Sequence, residues 1–136
     1  MEEIIKQFFD WTKKKIFHHL NKVSEKLVFY REKEIWWTAL GQNIGYEING
    51  KNELYERPVL ILKKYNAETC FIVPFTTQIK YPLPWYQIFI SPKLGAINLT
   101  QGRTISSKRL LRRYEMLDGE KYEQILQSYI KQFVNK

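Results

Sequence analysis

At 136 residues, 44% of them hydrophobic and 15% aromatic, the chain carries enough apolar material to pack one domain and too much to stay disordered. A net charge of +8 with a pI near 9.5 favours an anionic partner, nucleic acid or an acidic protein, over a function built on acidic clusters. No run approaches the ~18 apolar residues of a membrane span, the lone Cys70 excludes an internal disulfide, and the acidic start Met1-Glu2-Glu3 is unlike a secretory leader, so a cytoplasmic protein without membrane attachment is expected.

Residues 2–29 read as a helix. Ile4, Ile5, Phe8, Phe9, Thr12, Ile16, Leu20, Val23 and Leu27 recur at three- and four-residue steps, and Lys6, Lys13, Lys14, Lys22 and Lys26 fall off that stripe. Such a stripe is expected to cover its own domain or a second copy; contact with nucleic acid or with another protein is the functional alternative. His18 and His19 are neighbours in this helix. Adjacent helical side chains diverge by about 100°, so the two are not expected to work as an acid–base pair on one face.

The period then changes. Glu34 to Leu40 is short, aromatic and β-branched, as strands are, and Gly41 to Lys51 is a loop with a turn signal at Asn49-Gly50. Arg57 to Lys63 forms a second strand, with Pro58 tolerated at its start. Tyr65 to Glu68 turns the chain into a third strand, Thr69 to Phe75, where Cys70 reads as a buried, inert thiol. Tyr81 to Trp85 is an irregular loop, Tyr86 to Ile90 a fourth strand, and Ala96–Leu99 and Gly102–Ile105 two short ones. Ser106 or Ser107 is expected to cap a helical turn through Leu111, and Asp118 a last helix whose apolar stripe runs from Tyr122 to Val134.

Short, closely spaced strands between terminal helices predict a mainly β, α+β domain with a small, strongly bent sheet or barrel. From Thr69 to Tyr114 there are seven basic residues (Lys80, Lys93, Arg103, Lys108, Arg109, Arg112 and Arg113) and no acidic one. A one-signed stretch of this kind is suited to holding a polyanion.

Several blocks stand in a telling order: Glu34-Ile35-Trp36, then Gly45-Tyr46-Glu47 and Gly50, Arg57-Pro58-Val59-Leu60, Pro74-Phe75-Thr76-Thr77, and Gln101-Gly102-Arg103-Thr104-Ile105. Over roughly Lys33 to the C-terminus this order resembles the PemK/Kid/MazF-type toxin family of bacterial type II toxin–antitoxin systems, and the run from Trp36-Trp37 to Gly45 is similar to its PemK-like branch. The resemblance implies an SH3-like small β-barrel, with residues 1–32 as an N-terminal amphipathic extension and 33–136 as the toxin domain. It also implies a homodimer, a cognate antitoxin partner, and a metal-independent endoribonuclease that needs no cofactor. The substrate would be single-stranded RNA, mRNA included, whose 2′-hydroxyl attacks the adjacent phosphate.

That reaction needs positive charge on the phosphate, a way to take the hydroxyl proton and a proton for the leaving oxygen. By the resemblance, Arg57 and Thr76 are the catalytic candidates. A guanidinium can hold the phosphate bidentately and a hydroxyl can donate to its oxygens; for Arg57 the alternative is an ion pair with Glu56 or Glu47. Glu34, Thr77, Gln101 and Arg103 match family positions for substrate contact, with Glu34 also able to pair with Arg57. Lys80 and Arg109 add charge for the RNA backbone. Three positions depart from the family pattern: Tyr46 and Asn98 replace a histidine and an arginine of some members, and Thr100 an acidic residue. Either catalysis rests on Arg57 and Thr76, or the chain is a non-catalytic SH3-like barrel that binds nucleic acid or protein.

Overall fold

A computed structural model describes residues 1–20 and 28–134. In chain order it contains α1 (Glu2–Leu20), β1 (Glu34–Ala39), β2 (Glu56–Lys64), β3 (Thr69–Thr76), β4 (Gln87–Ser91), β5 (Gly95–Asn98), β6 (Arg103–Ser106), β7 (Leu110–Met116) and α2 (Gly119–Val134). The expected mainly β fold with terminal helices is what the chain adopts. Its seven strands make one antiparallel sheet in the order β4-β5-β3-β2-β1-β7, with β6 on the β3 edge. The first half of β3 pairs with β6 and its last two residues pair with β5, which bends the sheet sharply around β3. The hydrogen-bonded path ends at β4 and β7, so the sheet is open rather than closed into a ring.

The central strands are buried on both faces. Val59, Leu60, Ile61 and Leu62 of β2 are all in the core, as continuous apolar runs require. Leu60 and Leu62 pack with Val73, Phe75, Ile97 and the α2 residues Tyr122 and Ile125. Val59 and Ile61 face the opposite way, against Trp36, Leu40, Cys70, Ile72, Ile105 and Tyr30. Cys70 is the expected buried thiol, and burial pushes its pKa up to about 11. The Asp118 cap also stands, its carboxylate accepting from the Lys121 amide at 3.2 Å, and α2 starts three residues earlier than its apolar stripe. No helix among the described residues is long and apolar enough to cross a membrane.

Two expectations are corrected. The segment after Ser107 is not a helical turn running through Leu111. A single 3-10 turn, Ser107–Arg109, is capped by the Ser106 hydroxyl, and Leu110 to Met116 then pairs with β1. Strand conformation wins because it delivers Arg112 and Arg113 to buried carboxylates: Arg112 clasps Glu56 at 2.7 and 3.2 Å, and Arg113 donates to Glu34 at 2.9 Å. A stretch without acids in sequence is therefore not a surface without acids.

The second correction concerns α1, which is described to Leu20; Val28 to Tyr30 are not helical, and Val23 and Leu27 lie outside the described residues. The helix does not dock through its apolar stripe. Trp11 is its buried residue, packed with Ala39 and Tyr55, while Phe9, Ile16 and Leu20 are each more than half exposed. The docking face is chosen by pairing as well as by greasiness: the Tyr55 hydroxyl donates to Asp10 at 2.9 Å, and Lys14 bridges to the same carboxylate. Gly41, at φ +85°, makes the fit possible, since a Cβ there would run into the Trp11 indole.

The two buried carboxylates give the fold a defined acid sensitivity. Burial alone would raise them, but for Glu34 the Trp36 indole, the Arg31 amide and Arg113, and for Glu56 the Arg112 and Asn52 side chains, hold the pKa below the ordinary 4.5. Groups with depressed folded-state pKa stabilise the protein above their unfolded value, and that stability disappears as pH falls through the folded value. The melting temperature should therefore be level at neutral pH and fall steeply below about 4.5. Glu34→Gln should cost about 1–3 kcal/mol at pH 7 and flatten that acid limb; thermal scans from pH 7 to 3 on both proteins check it.

Candidate active site

The antiparallel register sets the centre of the site. β2 and β3 pair Val59 with Pro74, so two residues further on Arg57 at the start of β2 stands opposite Thr76 at the end of β3. Arg57 is only 9% exposed, and its guanidinium is fixed by backbone carbonyls: Nε donates to Asn49 O at 2.7 Å and Nη1 to Phe75 O at 3.1 Å. Neither Glu56 nor Glu47 pairs with it: Glu56 belongs to Arg112, and Glu47 accepts from the Ile44 amide within its own loop. Burial pulls the Arg57 pKa below its ordinary value. A guanidinium held by carbonyls keeps its charge and its remaining N–H groups for a ligand.

Thr76 is buried, and its hydroxyl oxygen accepts from the Gln78 amide at 3.1 Å. That bond leaves the hydroxyl proton free to be donated. Thr77 is exposed next to it and accepts from the Lys51 ammonium at 3.2 Å. Lys51, at the end of the Gly-rich loop, thus joins Arg57 and Thr76, and all three line a basin of about 290 Å³ together with Lys80, Gln78 and Gln101. Lys51 was missed in sequence; its only signal was a cation in the loop that leads into Arg57.

The basin walls are two loops, each fastened by a carboxamide. Gln101 accepts from the Ile48 amide at 3.0 Å and donates to Tyr46 O at 3.2 Å, pinning the β1–β2 loop while the Tyr46 ring stays fully exposed. Gln87 plays the same part on the opposite wall, donating to Gln78 O and accepting from the Lys80 amide, both at 3.0 Å. The Lys80 ammonium lies 5.7 Å from the Tyr86 ring centre. Asn98 also lines the basin, and its carbonyl oxygen is engaged by both the amide and the hydroxyl of Thr100.

Three of the sequence candidates lie elsewhere. Thr38 is the β-partner of Arg57, which puts Glu34 four residues along the strand, about 13 Å away. There it accepts from Arg31, Trp36 and Arg113, so the expected pairing with Arg57 is not made. Arg109 runs under α1, donating to Ala39 O and Leu40 O at 3.0 and 3.3 Å with its guanidinium 5.8 Å from the Trp11 ring centre. Burial, assisted by the charge of Arg103, lowers its pKa to about 10. Arg103 itself sits on β6 opposite Ile72, beyond the basin. His18 and His19 are on α1 against Lys108 and Arg109, also away from it.

The family model for the PemK-like, MazF-like toxin of type II toxin–antitoxin systems matches residues 31–133. No curated protein matches the chain. Among solved structures it is similar to an endoribonuclease from mycobacterial species, with 11% identity and a TM-score of 0.56, covering 78% of this chain and 91% of that one. It is also similar to an endoribonuclease in complex with its cognate antitoxin from mycobacterial species, at 12% identity and a TM-score of 0.50, covering 76% and 90%. At these identities the two structures establish a shared fold, and the match over residues 31–133 establishes descent: the chain belongs to the PemK-like, MazF-like toxin family of type II toxin–antitoxin systems.

Proposed function

We propose that this protein is a metal-independent endoribonuclease toxin that cleaves single-stranded RNA in the cytoplasm. The observation that carries the reading is the buried, carbonyl-tethered Arg57 beside Thr76 and Lys51 in a basic basin. In the reaction the 2′-oxygen forms a bond to phosphorus as the bond to the 5′-oxygen breaks, leaving a 2′,3′-cyclic phosphate and a 5′-hydroxyl. The proton lost from the 2′-hydroxyl is balanced by the one gained at the 5′-oxygen. Arg57 and Lys51 would meet the charge that builds on the non-bridging oxygens, and Thr76 would donate a hydrogen bond to one of them. A fixed cation in a partly dry site stabilises such a transition state without having to reorganise. Lys80 and Thr77 would hold the RNA backbone. Gln101 would act by positioning the loop rather than by touching the RNA.

Several features support protein partners. We assign residues 1–32 to an extension and 33–136 to the toxin domain, and read the exposed apolar stripe of α1 as a contact surface of a homodimer. One of the structural neighbours is an endoribonuclease solved with its cognate antitoxin, which supports an antitoxin partner for this chain.

Arg57→Ala should lower RNA cleavage about a hundred- to a thousandfold, the cost of removing a transition-state charge contact, and relieve growth inhibition on induction. Cleavage by the intact protein should persist in EDTA, and RNA carrying 2′-deoxy or 2′-O-methyl at the cleaved nucleotide should resist. An intact protein that binds RNA and never cuts it identifies a non-catalytic relative instead.

Gln101→Ala tests the clamp separately. The Ile48 amide loses its acceptor, so its hydrogen exchange should quicken about two- to tenfold, matching the net worth of one hydrogen bond. Cleavage should fall while the melting temperature changes little.

A further inference from the structure

We propose that the bases flanking the cleaved phosphate enter two separate pockets that meet at Arg57, and that the apolar slot between Trp37, Pro58, Leu94 and Tyr114 is a stacking subsite for one of them. The proposal rests on the endoribonuclease reading above. It starts from a geometric demand of that chemistry: the 2′-oxygen, the phosphorus and the leaving 5′-oxygen must come close to a line. A stacked strand does not present them so. Single-stranded RNA is bound with its bases splayed onto protein side chains, and a nuclease of this type needs one seat on each side of its phosphate-binding cation.

The structure has two such seats. One is the carboxamide-rich basin already described, and the other is a slot of about 220 Å³ on the far side of Arg57. Lys51, Arg57 and Thr76 line both. At this size, below the ~300 Å³ of pockets for drug-sized ligands, the slot suits one planar ring system. Its chemistry differs from the basin's. The half-buried Trp37 has the Arg112 guanidinium 4.9 Å from its ring centre, and Tyr114 has the Lys93 ammonium at 5.3 Å. Cations beside aromatic rings make the surface on which bases of single-stranded RNA stack. Glu56 also lines the slot, but Arg112 and Asn52 bind its carboxylate, so no uncompensated negative charge opposes the RNA.

The division of chemistry gives a division of labour. Stacking is tolerant of base identity, because every base has a π-face, whereas free amide edges discriminate. Sequence preference should come from the basin side, through Gln78 and the side-chain amide nitrogen of Asn98, whose oxygen is taken by Thr100, and the slot side should accept any base but require one.

The test uses the full-length protein and an RNA with one abasic nucleotide, placed either 5′ or 3′ to the cleaved phosphate. With wild-type protein, removing the slot-side base should slow cleavage about ten- to a hundredfold, the usual worth of a stacked base. Trp37→Leu should slow cleavage of intact RNA by a similar factor and then be indifferent to that same abasic position, while still responding to the other one. Trp37→Phe should restore the response, and Tyr114→Leu provides a second variant if Trp37→Leu melts early. Independent, multiplying losses at both positions would overturn the subsite while leaving the nuclease reading intact. So would a Trp37→Leu protein whose oligomeric mass has changed, because the slot would then be a protein contact. Failure of the wild-type protein to cut any intact RNA would overturn the nuclease reading, and the subsite with it.

Discussion

Arg57 and Thr76 face each other because β2 and β3 are buried on both faces and have only one register open to them. A slip of one residue would turn each side chain to the opposite face, exchanging Leu60 and Leu62, which pack toward α2, with Val59 and Ile61, which pack toward Trp36 and Ile105. Neither layer could accept the other's side chains at native packing density. The core therefore fixes where β2 begins and β3 ends. That junction in turn places a guanidinium, a hydroxyl and the root of the β1–β2 loop within one basin.

Charge is distributed by the same sheet. Two carboxylates are taken into the interior and each is matched by an arginine of the edge strand β7, Glu34 of β1 with Arg113 and Glu56 of β2 with Arg112. Arg109 is spent on backbone carbonyls beneath α1. Of the basic residues in the long acid-free stretch, Lys80 and Lys93 remain at the pockets, joined by Lys51 and Arg57 from outside it. Desolvation gives this small remainder its strength: an Arg57 fixed by carbonyls interacts through a medium far less polarisable than water.

Much of this was legible in sequence because it rests on periodicity. The alternating and continuous apolar runs marked β1 to β6, and the Asp118 cap and the Tyr122–Phe133 stripe marked α2. What was not legible depends on partners distant in the chain. Nothing near Leu110–Met116 announces that buried glutamates are waiting opposite Arg112 and Arg113, so a capped helical turn was the better local reading. The stripe of α1 is apolar as its spacing says, but it is Trp11, off that stripe, that meets the domain, because it finds Tyr55 and Ala39 at long range; the stripe is left for the second copy of the proposed homodimer. For the site, Arg57, Thr76 and Gln101, which the family pattern marks, and Lys80, marked by its charge, line one basin, with Thr77 tied to it through Lys51. Glu34 and Arg109 are bonded to the frame, and Arg103 lies on β6 beyond the basin. A motif marks positions without saying whether the chemistry or the scaffold holds them.

Gly41 has a consequence for how this sequence can drift. Its positive φ and its contact with the Trp11 indole are two separate objections to any side chain. Shrinking Trp11 would remove the steric objection and leave the conformational one. Substitutions at the two positions are thus coupled: a change at residue 11 softens a change at residue 41 while leaving its conformational cost in place. The helix and the loop root form one heritable unit. A lineage that discards α1 is released from half of the constraint on this glycine, and one that keeps Trp11 on α1 feels both halves.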